Sequence, residues 1–276
     1  MKKCPTCNLL WRSEFSLPEF HYEKKLVDFT ESKLKARVEN CYNRIDSLKK
    51  FVDLNNLCDL GTGEGMFLKA LKDCGFVGMF GIEPSEQISD FSKKNLLEIY
   101  KGRINLLLSL AKTRLIRGVS MFHLIEYLDN PVENLEVIFN TLPIDGYLII
   151  ETPNSNSYVL KKTGHKHELI YPEHLFLFNI NNLTSLLKRI GFEVVAYGNR
   201  DFNPQKMNLH DAFFKLGIVA DRLQGNKMNV GQKVEMVEVI KRDRLKNSVI
   251  KYTKLVLGWI IRKLGREDYL WIIVKK

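Results

Sequence analysis

No stretch of this sequence gathers the ~20 consecutive apolar residues that a membrane-spanning helix needs. Nor does a signal-type apolar core follow Met1-Lys2-Lys3, so a cytoplasmic location is the expectation. Cysteine is sparse. Five residues, an odd number at irregular intervals, exclude a disulfide framework and suit a reducing compartment. Cys4-Pro5-Thr6-Cys7 has the spacing of a zinc knuckle, but one pair cannot close a tetrahedral site. His165 and His167 read as surface residues, and no metal centre is expected. Acidic residues are short in one region. Residues 241–276 hold eleven Lys or Arg against three Asp or Glu, a local charge of +8 out of a total of +10. The rest is near neutral. That distribution argues against a general nucleic-acid binder and for a neutral body with a basic tail. With 45% hydrophobic residues, the chain can bury a proper core.

The densest information lies in Leu57-Cys58-Asp59-Leu60-Gly61-Thr62-Gly63-Glu64-Gly65-Met66-Phe67. An apolar run carrying an Asp leads into a Gly-x-Gly-x-Gly turn, and a helical pattern follows. The order is strand, tight turn, helix. Glycines there allow positive φ and let a ligand approach the backbone, and the helix start beyond offers free N–H groups. A second apolar run, Phe76 to Ile82, ends in Glu83. An acid at the tip of the second strand is where an α/β nucleotide fold binds ribose hydroxyls. A dinucleotide fingerprint wants Gly-x-Gly-x-x-Gly; here the third glycine comes one residue early, which disfavours a nicotinamide dehydrogenase.

The turn resembles motif I of the class I S-adenosylmethionine methyltransferases, Asp-x-Gly-x-Gly-x-Gly. The likeness continues in Met121-Phe122-His123-Leu124-Ile125-Glu126-Tyr127-Leu128, similar to the family's Phe-His-x-x-Glu-His-Leu with Tyr127 in place of the last His. It continues again in Thr152-Pro153-Asn154 and in Pro172-Glu173-His174-Leu175. The resemblance implies an α/β fold, a doubly wound, mostly parallel seven-stranded sheet with a helical insertion before the last strand. It assigns S-adenosylmethionine as cofactor, and Asp59, Gly61, Thr62, Gly63, Gly65, Glu83, Pro84 and Met121 as its binding residues. Where the family usually carries an acid for the adenine amino group, Arg103 stands, and Arg117 replaces an Asp before the fourth strand. The Cys4–Cys7 segment resembles the second half of a zinc ribbon that precedes the domain in one bacterial branch.

Four regions are expected: a residual ribbon-like segment over 1–30, the cofactor-binding core over 31–198, a basic helical insertion over 199–268, and a last core strand over 269–276. Helical spacing marks residues 31–52, while 155–175 reads as a polar loop at the functional edge of the sheet. The final strand is expected to pair antiparallel with Phe192 to Tyr197. Three helical patterns divide the insertion, at 212–223, 234–245 and 249–264. In the last, apolar residues cover most of the helical wheel. Two readings stay open for it: packing against the protein, or a peripheral membrane contact through 247–264 with Lys and Arg at the headgroups.

The chemistry that follows is methyl transfer to a small-molecule or glycan acceptor, on oxygen or carbon, with no nucleic acid involved. A base is useful for such acceptors, and histidine titrates near neutral pH. His123, at the end of the fourth strand, and His174, in the loop after the fifth, are the candidates; each can equally cap a loop. A scaffold that keeps the fold without catalysis is the alternative.

Overall fold

A computed structural model describes residues 1–12, 31–85, 90–163, 171, 173–200, 256 and 258–276. Seven strands form the central sheet: β3 (Leu57–Leu60), β4 (Phe80–Glu83), β5 (Ile99–Lys101), β6 (Gly118–Phe122), β7 (Tyr147–Pro153), β9 (Glu193–Arg200) and β10 (Tyr269–Lys275). Their order is β5-β4-β3-β6-β7-β10-β9. Only β10 runs against its neighbours, pairing antiparallel with β7 and β9. The expected doubly wound sheet with one reversed strand is therefore present.

Strands covered on both faces should read as continuous apolar runs, and the central ones do. Every residue of β3, β4 and β7 is buried. One core packs Leu60, Ile82, Met121, Leu135, Ile150 and Leu183 on one face, and a second packs Ile45, Leu54, Phe67, Leu71 and Ile149 on the other. The helices supply these layers: α1 (Glu31–Leu48), α2 (Met66–Asp73), α3 (Asp90–Lys94), α4 (Leu106–Leu110), α5 (Pro131–Thr141), α6 (Tyr158–Thr163) and α7 (Ile180–Ile190). Capping fixes several of their ends. Pro131 opens α5, with the Asn130 side chain accepting from the Glu133 amide. A reciprocal Asn179–Asn182 capping box opens α7, and Gly191 closes it at φ 119°.

Two features depart from the sequence reading. The polar stretch 155–175 contains α6, which Ser157 nucleates. Its hydroxyl accepts from the Leu160 amide at 3.2 Å and donates to buried Asp268 at 2.6 Å. The partner is over a hundred residues away, so no local pattern announces this cap. The N-terminal segment is also stitched to the core. β1 (Lys2–Lys3) pairs with β2 (Leu10–Trp11), and β2 pairs with β8 (Phe176–Leu177). The patterns at 212–223 and 234–245, most of 249–264, and His165 and His167 lie outside the described residues.

The order places β3 between β4 and β6, so the chain runs outward from β3 through β4 to β5 and then crosses back to β6 on the other side, which leaves a crevice at the carboxyl ends of β3 and β6. That crevice is where such sheets bind ligands.

Candidate active site

At the end of β3 the chain turns through Gly61, Gly63 and Gly65, with φ of 68°, 55° and 82°. The three serve different purposes. A side chain at Gly65 would press its Cβ to 2.7 Å from Leu97, so that glycine lets the turn pack on the sheet. At Gly61 the close neighbour is Leu124, 3.1 Å away. At Gly63 a Cβ would meet none of the described residues within 4 Å, so the backbone there is open. The Gly63 amide donates to Glu83 Oε2 at 2.9 Å, and the Ser85 amide donates to Glu83 Oε1 at 3.2 Å. Glu83 is thereby fixed at the tip of β4 beside the turn. Pro84 follows it, exposed. Thr62 turns its methyl against Gly81. Asp59 is buried beneath, accepting the Ser120 hydroxyl at 2.6 Å. Burial pushes its carboxyl up to about 6, against the Ser120 hydrogen bond that favours the charged form. Met121, expected among the cofactor-binding residues, lies in the core, fully buried and paired with β3 and β7 on either side.

The adjoining strand ends carry a charged cluster. His123 leaves β6 at φ 56°, an uncommon conformation for a side-chain-bearing residue, with its amide donating to the Glu151 carbonyl at 2.8 Å. Its Nε2 lies 3.1 Å from Glu151 Oε1 and its Nδ1 3.6 Å from Glu126 Oε1. Glu151 Oε1 also receives Arg44 of α1 at 2.7 Å and Arg200 of β9. Glu126 is fully buried and accepts the Thr152 hydroxyl at 2.9 Å. The Arg44 guanidinium stacks 4.1 Å over the Phe122 ring, and Tyr269 stands edge-on to His123.

A methyltransferase-domain family model matches residues 31–197, more than half of the chain. The chain belongs to that methyltransferase family. S-adenosylmethionine is its expected cofactor. Solved structures agree on the fold. A SAM-dependent methyltransferase from Archaeoglobus fulgidus is 20% identical, with a TM-score of 0.57 over 89% of this chain and 97% of that one. An S-adenosylmethionine-dependent methyltransferase from Mesorhizobium loti is 10% identical, with a TM-score of 0.50 over 87% and 100%. The small RNA methyltransferase HEN1 is 14% identical, with a TM-score of 0.52 over 88% of this chain and 25% of that one. No curated protein sequence matches.

The methyltransferase's glycine turn passes a simple test of fit for the cofactor. Open space lies beyond Gly63, and a fixed carboxylate stands at the adjacent strand tip. The charged cluster has its own electrostatics. Desolvation opposes the charged imidazole of His123, yet Glu126 and Glu151 outweigh it and raise its pKa to about 9. Desolvation likewise opposes Glu151, but Arg44, His123 and Arg200 lower its carboxyl to about 2. A histidine so held carries its proton at neutral pH.

His174 is placed differently. It is buried, its Nε2 lies 3.0 Å from the Tyr127 hydroxyl, and the rings of Tyr127 and Tyr171 meet it edge-on. Arg12 Nε donates to its carbonyl at 3.1 Å. The two histidines connect through the short 3₁₀ turn Ile125–Tyr127, whose Glu126 faces His123 and whose Tyr127 meets His174. Tyr127 thus has a partner of its own where the family pattern has a histidine. Sequence reading missed Arg44, Glu151 and Arg200 as a unit. Glu151, a lone charge ending an apolar strand, was the available signal; the arginines carried none.

Proposed function

We propose that this methyltransferase moves a methyl group from S-adenosylmethionine to oxygen or carbon of a small-molecule or glycan-type acceptor, in cell-envelope or secondary metabolism. The observation that carries the reading is the Gly63 cradle, open to ligand and flanked by Glu83. When bound, S-adenosylmethionine supplies a sulfonium methyl and its own leaving group, so the protein's work is binding, orientation and exclusion of water. In this proposal Gly61, Thr62 and Gly63 present the turn's backbone to the cofactor and Gly65 sets its shape. Glu83 takes the ribose hydroxyls, with Pro84 following. Asp59 braces the turn from below, and Met121, buried between β3 and β7, backs the floor of the crevice.

Base and cap were the two roles open to His123, and its contacts with Glu151 and Glu126 favour the positioning one. His174 orients Tyr127 and the loop before β8. A nucleic-acid acceptor finds little support, because the charge outside residues 241–276 is only +2. The test supplies methyl-labelled S-adenosylmethionine together with extracts of envelope precursors. Labelled product is expected. Cofactor binding without any labelled product would favour the scaffold alternative, and no cofactor binding would overturn the reading altogether.

We also propose peripheral membrane contact through the segment 247–264. Among its described residues Val256, Trp259 and Leu264 are 57%, 61% and 59% exposed, while Ile261 is buried against Tyr158 and Val159. The Lys263 ammonium lies 5.8 Å from the Trp259 ring. Exposed aromatic and aliphatic groups with interleaved cations suit an anionic headgroup layer. No described helix is long and apolar enough to cross a membrane.

A further inference from the structure

The stretch that leads into β10 lands on the rim of the crevice. Helical residues 258–263 pack on α6 through Ile261, which is buried against Tyr158 and Val159. The Tyr158 amide donates to the Arg266 carbonyl at 2.9 Å, and the Ser157 hydroxyl donates to Asp268. β10 then starts at Tyr269, level with Pro153 at the carboxyl end of β7. The Tyr269 ring stands 4.9 Å from that of His123. Because β10 alone runs against its neighbours, its first residue shares a sheet edge with the last residues of β3, β6 and β7. The exposed Trp259 and Leu264 therefore belong to the same edge of the molecule as the crevice.

The cations beside these apolar groups come from three places in the sequence. Lys161 lies on α6, Arg266 follows the helical residues, and Lys3 lies on β1. All three are exposed, and among the described residues none of them forms an ion pair; the nearby Glu267 faces Arg262 at 3.4 Å. Their nearness to one another shows at Lys161. Partial withdrawal from water and the charges of Arg266 and Lys3 hold its ammonium below the ordinary lysine pKa. Lys263 adds a further cation beside Trp259. Like charges gathered on one face repel each other, and a layer of anions laid against them relieves that repulsion.

We infer that the crevice opens onto an anionic membrane surface, and that the methyl acceptor is an amphiphile held in that layer, a lipid or a lipid-linked molecule. This rests on the methyltransferase and membrane-contact readings above and narrows their acceptor class. Trp259 and Leu264 enter the headgroup boundary, while Lys161, Lys263 and Arg266 meet its phosphates. An acceptor anchored by its own apolar chain reaches the crevice by lateral diffusion, and the protein has only its polar head to enclose. An acceptor free in water gains nothing from an apolar rim, which exposes large side chains at a cost in solubility.

The test partitions a cell extract between organic solvent and water. The organic fraction is reconstituted into vesicles of zwitterionic lipid, with and without anionic lipid, and the aqueous fraction is used as it stands. Each is assayed with the whole protein and methyl-labelled S-adenosylmethionine, and cofactor binding is measured separately by calorimetry. Labelled product from the organic fraction is expected, formed faster on anionic vesicles and slower as salt rises. Product from the aqueous fraction alone, or turnover on vesicles that ignores anionic lipid, overturns the inference. Failure to bind the cofactor, or binding without product from either fraction, instead overturns the methyltransferase reading beneath it. On active vesicles, replacing Lys161 and Arg266 together by Gln should raise the vesicle concentration for half-maximal rate about ten- to thirtyfold, at about fivefold per basic residue. Cofactor affinity should not change, since both side chains are exposed and stand apart from the glycine turn. Trp259→Ser should act in the same direction. A double variant with unaltered half-saturation also overturns the inference.

Discussion

Replacing Glu151 by Gln tests the charged cluster at its centre. The carboxylate is 3% exposed and shared by Arg44, Arg200 and His123. Glutamine keeps the shape and an accepting oxygen but removes the charge. Breaking a buried pair by removing one partner costs about 3–5 kcal/mol, because the other charge stays buried. Arg44, 12% exposed, should account for most of that cost; His123, more than a third exposed, is partly screened by solvent. A domain of this kind has only about 5–15 kcal/mol in total, so the variant should unfold at a distinctly lower urea concentration. The pH profile carries a second signature. In the wild type the His123 pKa is raised to about 9. Its stabilising contribution is therefore complete below the unfolded value of roughly 6.5 and fades as pH rises through about 9. Glu151 is depressed to about 2, so its contribution is complete above roughly 4.5 and fades as pH falls through about 2. With Gln at 151 only Glu126 still faces the imidazole, and the alkaline loss should begin at lower pH. Urea unfolding at several pH values, with the His123 ring followed by NMR, reads both effects. A variant within about 1 kcal/mol of wild type at pH 7, with an unchanged His123 titration, would refute this account of the cluster.

Gly63→Ala should weaken S-adenosylmethionine binding at least about tenfold, since its methyl group projects into the open cradle from a φ of 55°; calorimetry measures it. Glu83→Ala should also lower affinity, by about 0.5–3 kcal/mol, and unchanged affinity in both variants would remove the cofactor from this crevice. Gly118→Ala should cost about 1–3 kcal/mol of stability in denaturant, because a Cβ there lies 2.1 Å from the Tyr147 ring, whose hydroxyl is tied to the Asp53 carbonyl. For the segment 247–264, co-sedimentation with anionic vesicles should fall as salt rises and vanish when those residues are deleted from a protein that still folds; no sedimentation with anionic vesicles at low salt refutes membrane contact.

The fold was legible because its signals are local. Apolar runs, the glycine turn and Glu83 lie within one short stretch, and the alternation of strand and helix patterns leaves few topologies. The adjacency of the glycine turn and Glu83 was legible for the same reason, while the coordinates alone single out Gly63 as the glycine that faces space. The cluster was not legible, since Arg44, His123, Glu151 and Arg200 are brought together by four separate elements. The protonation of His123 depends on those neighbours, which no local pattern in the sequence announces. Ser157 makes the same point for local structure: its cap needs Asp268, which follows the whole insertion.

The pairing of β9 with β10 has a consequence for how this chain tolerates growth. The two strands are neighbours in the sheet, yet residues 201–268 intervene in the sequence. In effect they are a hairpin with an enlarged loop. The entropy of closing a loop rises only with the logarithm of its length, by about 0.6 kcal/mol per doubling. Stretching a four-residue turn to this length takes roughly four doublings, or about 2–3 kcal/mol. Against a seven-pair ladder on each side of β10, that is a modest charge. The connection is therefore a place where sequence can be lengthened at modest cost to the sheet, and because it leaves at Arg200 and rejoins at Tyr269, beside Glu151 and His123, whatever is added there arrives at the edge of the crevice.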